Sequence, residues 1–319
     1  MESSYMENYA ILRNIRNVLQ TCILGKTDEI NMMLTALLAG GHVLLEDVPG
    51  TGKTVLVKAL AKSIQGQFRR IQCNPDLLPT DITGVSIYHP KQETFIFRAG
   101  PVMTNILLAD EINRATTKTQ SALLESMEEH SVTVDGETYE LPKPFLLFAT
   151  QNPIDFEGTY ALPEAQLDRF MVKLSLGYPD AASELKMLQS QQQTHPLDLV
   201  KAVTDAQRVR EMQEQVKSVH LDDAVADYLV AVTRRTREHP SVLLGASPRA
   251  TIALFHAVKA YAYIHERTFV LPDDIKALTP YVLGHRLMLH TEARINGATV
   301  DSVLQSILEQ VKVPVRLER

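Results

Sequence analysis

The sequence predicts an α/β layer sandwich with a mostly parallel sheet, followed by a smaller all-helical domain. Three observations carry this prediction. Short apolar runs alternate with helical periodicity as far as residue 178. The rhythm stops at Tyr178-Pro179, and from about 181 to 311 helical spacing persists with almost no strand pattern. A chain of 319 residues with 45% hydrophobic content also suits one large domain beside a smaller one. The predicted division is 1–178 and 179–319.

The elements run in order along the chain. Met6, Tyr9, Ala10, Ile11, Ile15, Val18 and Leu19 have helical spacing over 6–20, and a second helix covers about 28–39. His42 to Glu46 is a short apolar strand, followed by a Gly-bearing loop and a helix over Val55 to Ile64. Strand-like runs recur at Phe68 to Cys73, Asn105 to Ala109, Pro144 to Ala149 and Met171 to Leu174. Two stretches read as hairpins: 84–98, and 131–141 with Asp135-Gly136 as a turn between Val132-Thr133-Val134 and Thr138-Tyr139-Glu140. In the second domain the helical stretches include Ala224 to Thr233, Ala250 to Tyr263 and Val300 to Val311.

Composition narrows the function classes. The net charge of −6 argues against a nucleic-acid binder, which would carry a basic face. Apolar runs such as Ile106 to Ala109 are too short for membrane insertion. Met1 to Ala10 carries acids and polar groups where a signal peptide would start basic and turn apolar. The two cysteines, Cys22 and Cys73, stand in unrelated contexts, so neither a disulfide framework nor a structural zinc site is expected. A cytoplasmic protein with reduced thiols is the expectation.

The chemistry concentrates in the first domain. Residues 46–54 read Glu-Asp-Val-Pro-Gly-Thr-Gly-Lys-Thr, between a strand and a helix. Glycines there let backbone N–H groups approach phosphates, and the helix start adds its positive end. Lys53 is expected on the β- and γ-phosphates of ATP and the Thr54 hydroxyl on Mg²⁺. The nucleotide-contacting stretch is read as Pro49, Gly50, Thr51, Gly52, Lys53, Thr54 and Val55. The general pattern has Gly six residues before the Lys, where this chain has Asp47.

The strand Asn105 to Ala109 ends in Asp110-Glu111. Asp110 is the expected holder of the Mg²⁺ water shell, and Glu111 the base for the attacking water. The alternative is a strand capped by two solvated acids. The next strand ends in Thr150-Gln151-Asn152-Pro153. Asn152 suits an amide that holds the attacking water or senses the γ-phosphate, and equally a turn residue before proline.

These residues, with longer stretches around them, resemble the AAA+ ATPases and specifically the MoxR type. The resemblance rests on Leu44 to Thr54, Leu107 to Ala115 continuing into Lys118 to Glu128, Ala149 to Pro153, Leu162 to Phe170, and Gly245-Ala-Ser-Pro-Arg249. It implies an αβα P-loop core with an α-helical lid, usually assembled as a homo-oligomeric hexameric ring. It implies that Asn152 is the sensor-1 residue, that Arg169 is an arginine finger entering the neighbouring subunit's site, and that Arg249 is the sensor-2 arginine. The 84–98 hairpin resembles the helix-2 insertion, and 131–141 the hairpin before sensor 1. Gly25-Lys26 stands where the family more often has Gly-Gln.

Part of this has a physical basis of its own. Ser247 is a good N-cap and Pro248 suits the first helical position, which puts Arg249 in a helix's first turn. A cation is badly placed there unless it faces an anion. For Arg169 the sequence offers no such argument. Asp168-Arg169 reads on its own as a surface ion pair, and Arg114 is a second candidate for contacts across an interface. Arg234, Arg235 and Arg237 read as a solvated helix face, and His239, His285 and His290 as structural.

The resemblance implies a chaperone-like ATPase that remodels, activates or assembles a partner protein, one with a von Willebrand A-type domain. Two rivals stand beside it: a chelatase-like motor for metal insertion, and a slow nucleotide-dependent switch.

Overall fold

The structure is a computed structural model that describes residues 2–153, 158–190 and 196–314. The chain forms two compact units. The first comprises Met1–Ile30, His42–Leu162 and Leu174–Glu211, and the second Asn31–Gly41, Pro163–Lys173 and Met212–Arg319. Compactness therefore does not obey a single cut in the sequence.

The strands in chain order are β1 (Val43–Glu46), β2 (Phe68–Gln72), β3 (Gly84–His89), β4 (Thr94–Ala99), β5 (Ile106–Asp110), β6 (Ser131–Val134), β7 (Glu137–Glu140), β8 (Leu146–Gln151), β9 (Val172–Leu174), β10 (Val242–Leu244) and β11 (Met288–Leu289). Five of them form the main sheet, in the order β2-β5-β8-β1-β9. The pairs β2–β5, β5–β8 and β1–β8 are all parallel. Every residue of β5 is buried, as expected where helices cover both faces of a parallel sheet. The helix Lys53–Ser63 supplies part of that cover through Leu56, Val57, Ala59, Leu60 and Ala61.

Both expected hairpins form. β3 pairs with β4, and β6 with β7, antiparallel. Asp135 and Gly136 have φ of 52° and 84°, the left-handed values that a two-residue hairpin turn requires. Phe97 and Tyr139 stack at 3.9 Å and so join the two hairpins.

The second unit is built mainly on the helices Asp223–Glu238, Pro248–Ile264, Pro272–Leu283 and Val300–Gln310. Asp222 caps the first through Ala224 N, and Ser247 caps the second through Ala250 N. The sequence showed almost no strand here, yet β10 and β11 pair antiparallel. Strands of three and two residues with a register shift leave no alternation to read. Among the described residues, no helix is long and apolar enough to cross a membrane.

One buried histidine carries a pH signature. His42 precedes β1 and is 5% exposed. Its Nδ1 accepts from Leu147 N at 3.0 Å, and its Nε2 donates to Met127 O at 3.1 Å. These bonds fix a neutral tautomer. Burial, aided by nearby His130, pushes its pKa down to about 3. A histidine held neutral contributes stability above its unfolded value near 6.5 and loses it as pH falls toward 3. Half-buried His285, whose pKa is also pushed down mainly by desolvation, acts in the same direction. Between pH 7.5 and 5, His42 alone should cost about 2 kcal/mol. Urea midpoints at the two pH values should differ for the wild type and differ less for His42→Gln. An equal pH dependence in both proteins would exclude His42 as the cause.

Candidate functional site

The site arises from the strand order. β1, β5 and β8 run parallel, so their carboxyl ends lie at one edge, where open α/β sheets bind ligands. β1 leads into the loop to Lys53, β5 ends at the pair Asp110-Glu111, and β8 runs out at Asn152. One cleft is lined by Asp47, Pro49, Gly50, Lys53, Thr54, Asp110, Glu111, Thr150, Gln151 and Asn152. Arg70 and Gln72 of the edge strand β2 complete its wall. Of the loop residues singled out in the sequence, Thr51, Gly52 and Val55 are not among these lining groups, although they belong to the same turn and helix start.

The loop has the backbone that its glycines allow. Gly50 and Gly52 have φ of 86° and 90°, a region other residues avoid. Gly52 precedes the helix that starts at Lys53, so the first-turn N–H groups point back toward the loop. The Thr51 hydroxyl is buried in that turn with no hydrogen-bond partner among the described residues. Lys53 Nζ donates to Val48 O at 2.9 Å and Asp47 O at 3.2 Å. Burial lowers the Lys53 pKa, while Asp47, Asp110 and Glu111 oppose the shift.

Asp47 replaces the usual glycine and has a structural task. Its carboxylate accepts from Leu176 N at 2.5 Å, Gly177 N at 3.1 Å and Ser175 Oγ at 3.3 Å. Its own N–H donates to Gln151 O, extending the pairing of β1 with β8. Asp47 is not among the positive-φ residues, so the loop start needs no glycine.

The acidic pair is tightly held. Asp110 Oδ1 accepts from Thr150 Oγ1 at 3.2 Å, and Asp110 Oδ2 accepts from Arg70 Nε at 2.5 Å. Glu111 N donates back to Thr150 Oγ1 at 2.9 Å. Glu111 itself has φ 55° and ψ 51°, an uncommon left-handed setting for a non-glycine residue. Gln72 Nε2 donates to Glu111 Oε2 at 2.9 Å, and Arg114 Nε lies 3.3 Å from the same oxygen. Arg114 is thus an ion-pair partner of Glu111 in its own chain. Cys73, one residue beyond β2, is buried, and its thiol is pushed up to about 12 mainly by that burial. It is chemically quiet beside the acids.

Arg70, Gln72 and Thr150 were missed in the sequence. The available signal was alternation on β2, where Arg70 and Gln72 flank buried Ile71 and Gln72 lies opposite Asp110. Arg169 and Arg249 belong to the second unit. Arg169 is half-buried after the short helix Glu164–Leu167, and Arg249 is exposed in the first turn of Pro248–Ile264. Asp168 has a buried counter-ion. It pairs with Arg286 at 2.7 Å, because a buried guanidinium needs a counter-charge more than an accessible one does.

Comparison with known proteins bears on the fold and the family. Residues 42–172 match the family "ATPase family associated with various cellular activities (AAA)", and 234–307 match the AAA lid domain. The chain is 41% identical over 301 residues to Chaperone MoxR1 of Mycobacterium tuberculosis, covering 92% of this chain and 79% of that one. It is 54% identical over 294 residues to the uncharacterized protein YeaC of Bacillus subtilis, covering 92% of each. A crystal structure of a proposed ATPase from Cytophaga hutchinsonii superposes with a TM-score of 0.92 at 37% identity, covering 98% of each chain.

The role of Asp47 is directly testable. Asp47→Gly restores the commoner loop pattern but strands two backbone donors, each costing about 1–3 kcal/mol. The variant should therefore unfold at clearly lower urea than the wild type. An unchanged midpoint would mean that the bonds to 175–177 contribute nothing.

Proposed function

Because the chain belongs to the MoxR-type AAA+ ATPases, we propose that it is a Mg²⁺-dependent ATP hydrolase that works as a chaperone-like remodeller or assembler of a partner protein. The observation that carries the reading is the single cleft that gathers Lys53, Thr54, Asp110, Glu111 and Asn152. Nucleotide binding is what the family implies.

The residues present fit both groups. The orphaned Thr51 hydroxyl and the first-turn N–H groups suit phosphate oxygens. Thr54 and Asp110 would hold Mg²⁺, which supplies charge neutralisation at the transferring phosphoryl group. One hydroxyl and one carboxylate suffice for this ion, since it keeps several waters and takes phosphate oxygens as further ligands. This is consistent with the lack of any three-residue His/Cys/Asp/Glu metal cluster among the described residues.

In the proposed reaction, Lys53 leaves the carbonyls of Asp47 and Val48 to meet the β- and γ-phosphates. Glu111 accepts a proton from the attacking water as its oxygen bonds to the γ-phosphorus and the bond to the bridging oxygen breaks. Asn152 orients that water. Arg169 is proposed as the finger supplied to a neighbouring subunit, and Arg249 as the sensor-2 arginine. The functional division proposed is a nucleotide core over 1–178 and a lid over 179–319. A hexameric homo-oligomer, a separate partner with a von Willebrand A-type domain and a cytoplasmic setting complete the reading. Free Cys22 and Cys73 support the last of these.

Two substitutions separate binding from chemistry. Lys53→Ala should abolish binding of a fluorescent ATP analogue, and retained affinity would remove the loop from the site. Glu111→Gln should bind the analogue normally and release phosphate about 10²–10⁴-fold more slowly. Near-normal turnover would exclude Glu111 as the base. The same variant, held with ATP, is the bait for recovering the client.

A further inference from the structure

Arg286 is a fully engaged cation of the second unit. Its side chain is 2% exposed. Nε donates to Asp168 Oδ1 at 2.7 Å. Nη2 donates to Asp168 O at 2.8 Å and Phe170 O at 2.7 Å. Nη1 donates to Met171 O at 3.1 Å and also to Val282 O. The backbone on both sides of Arg169 is therefore clamped on one guanidinium.

The second oxygen of Asp168 reaches elsewhere. Ser247 Oγ donates its only proton to Asp168 Oδ2 at 2.8 Å. The same Oγ accepts from Ala250 N at 3.1 Å, which caps the helix carrying Arg249. A planar fork and a single hydroxyl proton leave little choice of geometry. Two arginines 80 residues apart thus hang on the two oxygens of one carboxylate, Arg169 through Arg286 and Arg249 through Ser247.

We propose that Asp168 is a positioning residue that fixes Arg169 and Arg249 to each other, so that the group given to a neighbour's site and the group used in the chain's own site move together. This rests on the roles proposed above for the two arginines. The four carbonyls give Arg286 a stability role, but the bonds to the two oxygens of Asp168 add orientation. A buried ion pair is often replaceable by apolar residues of similar volume without loss of stability, whereas it does fix orientation.

The test uses the full chain in mixed assemblies. Arg169→Ala mixed with Lys53→Ala should regain ATPase activity, because each supplies what the other lacks. The apolar pair Asp168→Leu with Arg286→Met should keep the wild-type assembly state at a lower melting temperature, since the carbonyls of Asp168, Phe170, Met171 and Val282 lose their donor. It should nevertheless fail in both directions: it neither restores Arg169→Ala nor is restored by Lys53→Ala. Ser247→Gly keeps most of the helix cap but cuts the link to Asp168. It should restore Arg169→Ala, yet stay at least ten-fold slow when mixed with Lys53→Ala.

Rescue of the apolar pair in either direction overturns the proposal, as does a Ser247→Gly protein fully restored by Lys53→Ala. Should the apolar pair fail to fold, the Ser247→Gly arms decide alone. If Arg169→Ala and Lys53→Ala co-assemble and stay inactive, the finger reading itself falls and the proposal falls with it. That failure is recognisable because no Asp168 variant takes part in it.

Discussion

The candidate site depends on one constraint, the parallel alignment of β1, β8 and β5 with their carboxyl ends at a common edge. Leu44, Ala149 and Ala109 are in register across the three strands. One residue past Ala109 stands Asp110, and one past Ala149 stands Thr150, whose hydroxyl touches both Asp110 Oδ1 and Glu111 N. A slip of one residue would turn each of these side chains to the opposite face of the sheet. The buried strands prevent that slip, since it would change which residues face each helical layer. Packing of the sheet thus sets the spacing of the groups that line the cleft.

Asp47 ties the start of the phosphate loop to the same frame. A buried carboxylate requires several donors, and the backbone of 175–177 supplies them. The loop is therefore anchored at its first residue by side-chain bonds rather than left free by a glycine. Lys53 in turn bonds the carbonyls of Asp47 and Val48. The loop is shaped before any phosphate reaches it, so less ordering is left for the binding step.

Much of this was legible in the sequence because it is local. The Gly-Thr-Gly-Lys-Thr run needs only a strand before it and a helix after it, and Asp135-Gly136 needs only its two flanking strands. The features that escaped a reading of the sequence join distant residues. The strand order places β1 between β8 and β9, and no periodicity encodes such neighbours. Asp47 meets Gly177 across 130 residues and Asp168 meets Arg286 across 118. Asp47 stood out only as a departure from the loop pattern, with no sign of its partners, and Asp168 looked ordinary in its local context. Arg70 and Gln72 were hidden differently. An edge strand with exposed polar residues reads as a solvated face, and only the register with β5 turns that face toward the acids.

The position of β2 at the sheet's rim has a further consequence for solubility. An edge strand offers unpaired backbone groups to any passing chain, and a cationic side chain there discourages a second strand from docking. Arg69 and Arg70 stand together on that rim, both exposed. Arg70 thus faces two demands at once, a counter-charge for Asp110 and a guard against aggregation. A hydrophobic replacement would unsettle the acid and invite intermolecular pairing by the same substitution, so poor behaviour in solution and altered chemistry would arrive together at this position.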